Sequence, residues 1–219
     1  MKKKVINHEK EEGKYAYCII PNNGNSISFG KVGFENSEVY TISYKDVSAV
    51  VSDTPLTEYQ PTEENIKTHT EVVNLVMKSY PLIPMAFGMA FKNKEMLFSV
   101  FERGYEAIKQ ILTLVDNKIE LGVKIILAKE LAELLNNGGK NELAFKFFTL
   151  LKTKSSEAVN DNLFSERLLL NASFLVDKNQ VEEFSKEVDN IQKMLTSKIQ
   201  YTGPWPPYNF AKISIGKGE

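Results

Sequence analysis

At 219 residues, with 42% apolar and 25% charged side chains, the chain has the length and balance for one large domain or two ordinary ones around a buried core. Lys and Arg number 27 against 28 Asp and Glu, so a net charge of -1 excludes the clear basic excess of a protein that mainly grips phosphate backbones. A single cysteine, Cys18, and two histidines exclude an internal disulfide and a multi-cysteine metal cluster, and speak against a histidine-rich one, which describes a reduced, intracellular protein poor in cofactors.

The lysines at Lys2 to Lys4 are followed by a polar stretch instead of the apolar one that a secretory signal needs, and read as a solvated end. Tyr15 to Pro21 alternates aromatic with small and β-branched residues, which predicts a strand running into the turn-rich Pro21-Asn-Asn-Gly-Asn25. Val39 to Tyr44 and Val47 to Ser52, joined by Lys45-Asp46, predict a hairpin. Thr62 caps a helix whose first turn carries Glu63 and Glu64, and Ile66, Val73, Val76, Met77 and Tyr80 mark one face of it. Leu82 to Phe91 reads as a central strand, since with Pro81 and Pro84 it is too short for the roughly 20 residues of a bilayer span. A second helix follows over about Asn93 to Asp116.

Alternation resumes at Lys118, with Ile119, Leu121, Val123 and Ile125 on one side and Lys118, Glu120, Gly122 and Lys124 on the other. Helical spacing covers Leu127 to Asn137, is interrupted at Gly138-Gly139, and resumes from Glu142 to about Val159. Leu168 to Val176 is a strand, Gln180 to Leu195 an amphipathic helix, and Lys198 to Tyr201 a last strand. The resulting fold class is α+β in two domains, 1–116 and 117–219. Each is expected to be a ferredoxin-like, split βαβ variant, with mixed or antiparallel sheets and helices on one face.

Chemistry-bearing residues are few. Cys18 sits between Tyr17 and Ile19 with no local base, the setting of a structural thiol. His69 falls on the apolar side of the first helix, either as a core-edge histidine or as a general base with a carboxylate. Phe29-Gly30-Lys31-Val32-Gly33 and Gly138-Gly139-Lys140 lack the remaining elements of nucleotide-binding loops and read as turns. Asn171-Ala-Ser173 matches a glycosylation acceptor only by coincidence, inside a strand. Glu182, Glu183 and Glu187 with Lys186 and Lys193 form a solvated helix face. No catalytic set, cofactor site or metal site assembles, so the chain does not read as an enzyme.

The unusual segment is Tyr201-Thr-Gly-Pro-Trp-Pro-Pro-Tyr-Asn-Phe210, which holds the only tryptophan. Proline fixes the backbone, so the rings are presented at low entropic cost, either to the chain's own core or to a partner. The candidate contact or clasp residues are Trp205, Pro206, Pro207, Tyr208 and Phe210.

Gly203-Pro-Trp-Pro-Pro-Tyr-Asn-Phe210 resembles the C-terminal signature of the gas vesicle protein F/L family. Tyr15-Ala-Tyr-Cys-Ile-Ile20, Val47-Ser-Ala-Val-Val-Ser52, His69, Leu82-Ile-Pro-Met-Ala-Phe-Gly88 and Glu166-Arg-Leu-Leu-Leu-Asn-Ala-Ser-Phe-Leu-Val176 follow the family's order over about residues 15 to 213. The resemblance implies a two-domain α+β protein with ferredoxin-like character and no catalytic residues. It implies an accessory or minor structural role in gas vesicle assembly, giving the cell buoyancy. The implied partners are the hydrophobic main shell protein and other gas vesicle accessory proteins, with no nucleic acid and no lipid membrane, in the cytoplasm at the vesicle. The alternatives are a ferredoxin-like module binding a small ligand or regulating another protein, and an enzyme built on His69.

Overall fold

The computed structural model describes residues 13–22, 24–55, 59–195 and 197–212; the basic start and the tail after Lys212 lie outside them. Strand β1 (Gly13–Pro21) is buried along nearly its whole length, with Tyr15, Tyr17, Cys18 and Ile20 inside. Burial on both faces is why Tyr15-Ala-Tyr-Cys-Ile-Ile20 shows no polar alternation. β2 (Ser28–Gly30), at three residues, is too short to leave a periodic signal. β3 (Val39–Tyr44) and β4 (Val47–Thr54) form the expected hairpin: Tyr44 lies opposite Val47, and Lys45 closes the turn at φ 53°.

The next helix, α1 (Glu63–Met77), starts as expected, with the Thr62 hydroxyl accepting from the Asn65 N–H at 3.2 Å. Its buried face is His69, Val72, Val73 and Val76, while Ile66, in the second turn, stays exposed. The expected central strand over Leu82 to Phe91 does not form. Two short strands, β5 (Ile83–Pro84) and β6 (Ala90–Phe91), replace it, because Pro84 brings no N–H and the chain turns at Gly88 with φ 84°. Both fragments join β1, giving a sheet in the order β2-β3-β4-β1-β5 with β6 also on β1. Helix α2 (Lys94–Val115) follows and buries Leu97, Phe101, Ile108, Leu112 and Val115.

The chain divides into two compact units; Gln110–Lys212 together with Pro81–Ile83 form the second, so the main changeover falls within α2. In the first unit four strands precede the first helix, a departure from the split βαβ order. The second unit contains β7 (Lys118–Leu127), α3 (Lys129–Leu134), α4 (Asn137–Lys152), β8 (Glu157–Asn160), β9 (Leu168–Asp177), α5 (Val181–Met194) and β10 (Ser197–Trp205). Its sheet runs β10-β7-β9-β8, every neighbour antiparallel. The protein is thus a mixed α+β fold with antiparallel sheets and helices.

Three details of this unit differ from expectation. Gly138-Gly139 does not interrupt a helix but lies in the first turn of α4, where the Asn136 side chain accepts from the Gly139 N–H at 2.8 Å. α4 ends at Lys152 rather than near Val159, because the Ser156 N–H bonds the Leu175 carbonyl at 2.8 Å and starts β8. β10 extends to Trp205, past Tyr201.

The apolar half of the β7 alternation, Ile119, Leu121, Val123 and Ile125, packs with Phe147 of α4 and Phe184 and Ile191 of α5. Each such large buried side chain contributes roughly 1.5–3 kcal/mol. The helices therefore occupy one face of this sheet. Glu120, Gly122 and Lys124 point to the other, and it is there that the C-terminal segment lies.

Candidate functional site

The C-terminal segment is built onto the outer face of the second sheet. β10 reaches β7 with Trp205 opposite Glu120, after an irregularity between Thr202 and Trp205. Gly203 stands at φ 118°, and a Cβ there would lie 2.9 Å from the Glu120 carbonyl oxygen. Only glycine fits that crossing. Beyond Trp205 the chain closes a tight turn: the Tyr208 N–H donates to the Pro206 carbonyl at 2.7 Å and the Ala211 N–H to that of Pro207 at 2.9 Å.

The turn is fastened by one polar cluster. The Asn209 backbone N–H donates to Glu120 Oε2 at 2.9 Å, and its side-chain amide donates to Glu120 Oε1 at 2.7 Å and to Ser173 Oγ at 2.9 Å. Glu120 is only 5% exposed. Burial pushes its carboxyl above the usual carboxylate range, opposed by the bonds from Asn209 and Ser173 and reinforced by the nearby charge of Asp161.

The five residues singled out from sequence are divided by this arrangement. Pro206 and Pro207 are buried, Phe210 is half-buried, and Trp205 and Tyr208 keep 45% and 40% of their surface in water. The structure thus places pinned prolines beside two outward aromatic rings. Sequence reasoning missed Glu120, Ser173 and Asn209. Glu120 occupies a polar position of the β7 alternation, which looks like solvated surface until the segment folds over it.

A second feature of this unit was also missed. Ala144, Phe145 and Phe148 of α4 face Leu163, Leu169 and Leu170 across a cleft of about 330 Å³. Phe145 and Phe164 beside it are 72% and 74% exposed, and the Lys124 ammonium lies over the Phe164 ring at 5.4 Å. Its signal was the phenylalanine at Phe145, out of step with the inward Phe147 and Leu151.

In the first unit His69 is 3% exposed and hydrogen-bonds the Tyr15 hydroxyl through Nδ1 at 2.9 Å. Tyr17 and Phe87 pack against its ring. Burial holds its pKa below the ordinary value. It is a core histidine with a phenolic partner, not the carboxylate that a general base would use. Cys18 is fully buried, and burial pushes its thiol far up. No helix among the described residues is long and apolar enough to cross a membrane.

Comparison with known proteins accounts for nearly all of this chain. The family model described as gas vesicle synthesis protein GvpL/GvpF matches residues 13–142 and 137–212. Gas vesicle protein F1 of Halobacterium salinarum is 35% identical over 210 residues, covering 94% of this chain and 95% of its own. Gas vesicle protein F of Haloferax mediterranei is also 35% identical, covering 92% and 94%. Gas vesicle protein L1 of Halobacterium salinarum is 22% identical over 260 residues. Among solved structures, GvpF from Anabaena superposes with a TM-score of 0.82 at 20% identity, covering 93% of this chain and 99% of that one. GvpF from Microcystis aeruginosa gives 0.78 at 19% identity. These two structures share the mixed α+β fold. The family is one of gas vesicle proteins and not a known enzyme family. By the extent of the family match and of the identity to its members, the chain belongs to the gas vesicle synthesis protein GvpL/GvpF family, and its role lies in gas vesicle formation.

Proposed function

We propose that this protein is a non-enzymatic accessory or minor structural protein of gas vesicle assembly that binds the hydrophobic main shell protein. A shell subunit exposes apolar surface before it is built into a wall, and a reversible partner keeps such a surface from aggregating. The observation that carries this reading is the outward presentation of Trp205 and Tyr208 beside buried Pro206 and Pro207. Rigid aromatic rings are the side chains that dominate protein contacts, and here their backbone is ordered before binding. Pro206, Pro207 and Phe210 serve as the clasp that holds them. Other gas vesicle accessory proteins are further partners, in the cytoplasm at the vesicle, with no cofactor, nucleic acid or lipid involved.

Identity of 35% to the F1 relative against 22% to the L1 relative of the same organism supports placement in the F branch. Domains 1–116 and 117–219 are proposed as the folding units. For the second, the order β10-β7-β9-β8 with a helix after the first and third strands supports a ferredoxin-like variant with a divided first helix.

The test replaces Trp205 and Tyr208 together by alanine and measures thermal stability and co-purification of the main shell protein. Retained stability with lost co-purification is expected; lost stability with unchanged binding per folded molecule contradicts the reading and leaves a structural clasp. A second reading, a module for a small apolar ligand, is favoured by the cleft between Phe145, Phe148 and Leu163. Saturable binding of an anilinonaphthalene dye that Phe145→Ala abolishes would support it.

A further inference from the structure

Between two fixed points the C-terminal segment carries its exposed rings. The first is Gly203, where β10 approaches the β7 backbone so closely that no side chain fits. The second is Asn209, whose two nitrogen groups occupy both oxygens of Glu120 and also reach Ser173. Trp205 and Tyr208 lie between them.

The chemistry of the second point is selective. Glu120 is nearly enclosed, and among the described residues no lysine or arginine pairs with it. A carboxylate in that position needs hydrogen-bond donors, because an enclosed charge without them is costly. The segment supplies two donors from a single residue, one from the backbone and one from the side-chain amide. An aspartate has the same length and shape but would set a second carboxylate against the first. Ser173 accepts the remaining amide hydrogen and faces Asp161 Oδ2 at 3.5 Å, so the cluster ties the segment to β7, to β9 and to the end of β8.

We infer that Glu120, Ser173 and Asn209 form a latch whose task is to hold Trp205 and Tyr208 in their outward presentation, making these three the positioning residues of the partner contact. The inference rests on the reading of Trp205 and Tyr208 as that contact. The latch works by donor count: while Asn209 saturates Glu120, the turn from Pro206 to Ala211 stays on the sheet and the rings stay at its edge. Without it the turn keeps its own short-range bonds, the burial of its prolines and the strand pairing of Trp205 opposite Glu120, but loses its link from Asn209 to the sheet.

Because Trp205 is the only tryptophan in the chain, its fluorescence reports the latch without any partner present. Asn209→Asp should loosen the segment beyond the Trp205–Glu120 strand pair, shift the emission to longer wavelength and raise acrylamide quenching, as a ring 45% exposed gains further exposure. Glu120→Gln alone sets an amide against an amide and should show a smaller change of the same sign. In the double variant Glu120→Gln with Asn209→Asp the roles reverse. The glutamine amide donates to the aspartate, and native quenching should return. Far-UV circular dichroism verifies that each variant is folded.

Unchanged quenching in folded Asn209→Asp, or no recovery in the double variant, overturns the latch. Co-purification of the main shell protein then tests positioning: it should fall in Asn209→Asp and recover in the double variant. If Asn209→Asp releases the segment yet binds normally while Trp205→Ala/Tyr208→Ala does not bind, the positioning role is wrong and the contact reading stands. If Trp205→Ala/Tyr208→Ala itself binds normally, the contact reading has failed, whatever the quenching shows of the latch.

Discussion

Two proline-bearing segments lie against strands in this molecule, and they turn their aromatic rings in opposite directions. From Pro84 to Phe91 the chain is held to β1 by the Met85 N–H on the Tyr17 carbonyl, by the Met89 carbonyl on the Ala16 N–H, and by the Gly88 N–H on the Tyr15 hydroxyl. Its Phe87 ring turns inward and meets Tyr15, Phe34 and His69. From Pro204 to Ala211 the chain is held by Asn209 on Glu120, and Trp205 and Tyr208 turn outward.

The difference lies in the residue that receives each segment. Tyr15 accepts one N–H at its hydroxyl and offers an apolar ring as a wall, so the neighbouring phenylalanine packs onto it. Glu120 offers a charge that needs two donors, so the polar residue of the segment turns in and the rings beside it turn out. The composition of a proline-aromatic segment does not decide which way its rings face; the receiving strand does.

The first segment depends most on Tyr15. Tyr15→Ala removes a fully buried ring that contacts Tyr17, Phe34, Tyr59 and Phe87, and should cost about 3–5 kcal/mol in denaturant unfolding. Tyr15→Phe, which keeps the wall and deletes only the hydroxyl, should cost about 1–3 kcal/mol by leaving Gly88 and His69 without that partner. Next in size, Asn209→Ala should cost about 1–3 kcal/mol by leaving Glu120 short of donors. That loss is expected without weakening hydrogen-exchange protection in β1. A loss of protection in β1 equal to that in β7 would show that the two segments are not independent.

Stability also depends on pH through His69. Burial holds His69 below its ordinary value of 6.5, so the unfolded chain takes up that proton first as pH falls. Stability should therefore decline from about pH 6.5 downward to the folded value, with no contribution from His69 above that window. Thermal unfolding of His69→Gln should lose this part of the slope. The smallest effect belongs to the exposed rings: Trp205→Ala and Tyr208→Ala should each change stability by only about 0.5 kcal/mol, because both side chains remain partly in water.

How far the fold can be read from sequence follows from which rules act locally. The β3–β4 hairpin, the Thr62 cap and the β7 alternation are set by neighbours a few residues apart, and all three appear as expected. The failures come from long-range partners. Leu82 to Phe91 has the hydrophobicity of a strand but breaks around Pro84 and Gly88 to meet the Tyr15 hydroxyl. Helical spacing runs to about Val159, but α4 stops at Lys152 and Glu157 to Asn160 becomes an edge strand, because β9 offers the Ser156 N–H the carbonyl of Leu175. The candidate site was half legible for the same reason. Trp205, Pro206, Pro207, Tyr208 and Phe210 stand out by type, whereas Glu120 and Ser173 lie 89 and 36 residues from Asn209 and look like ordinary polar strand positions.

Contact between Trp205 and the partner underlies the proposed function. It is tested most directly by replacing that one side chain with a fluorinated tryptophan and recording its single fluorine resonance while the main shell protein is added. The resonance should shift or broaden in step with complex formation, and Asn209→Asp should diminish the change. A resonance that stays fixed while the two proteins demonstrably associate would contradict that contact.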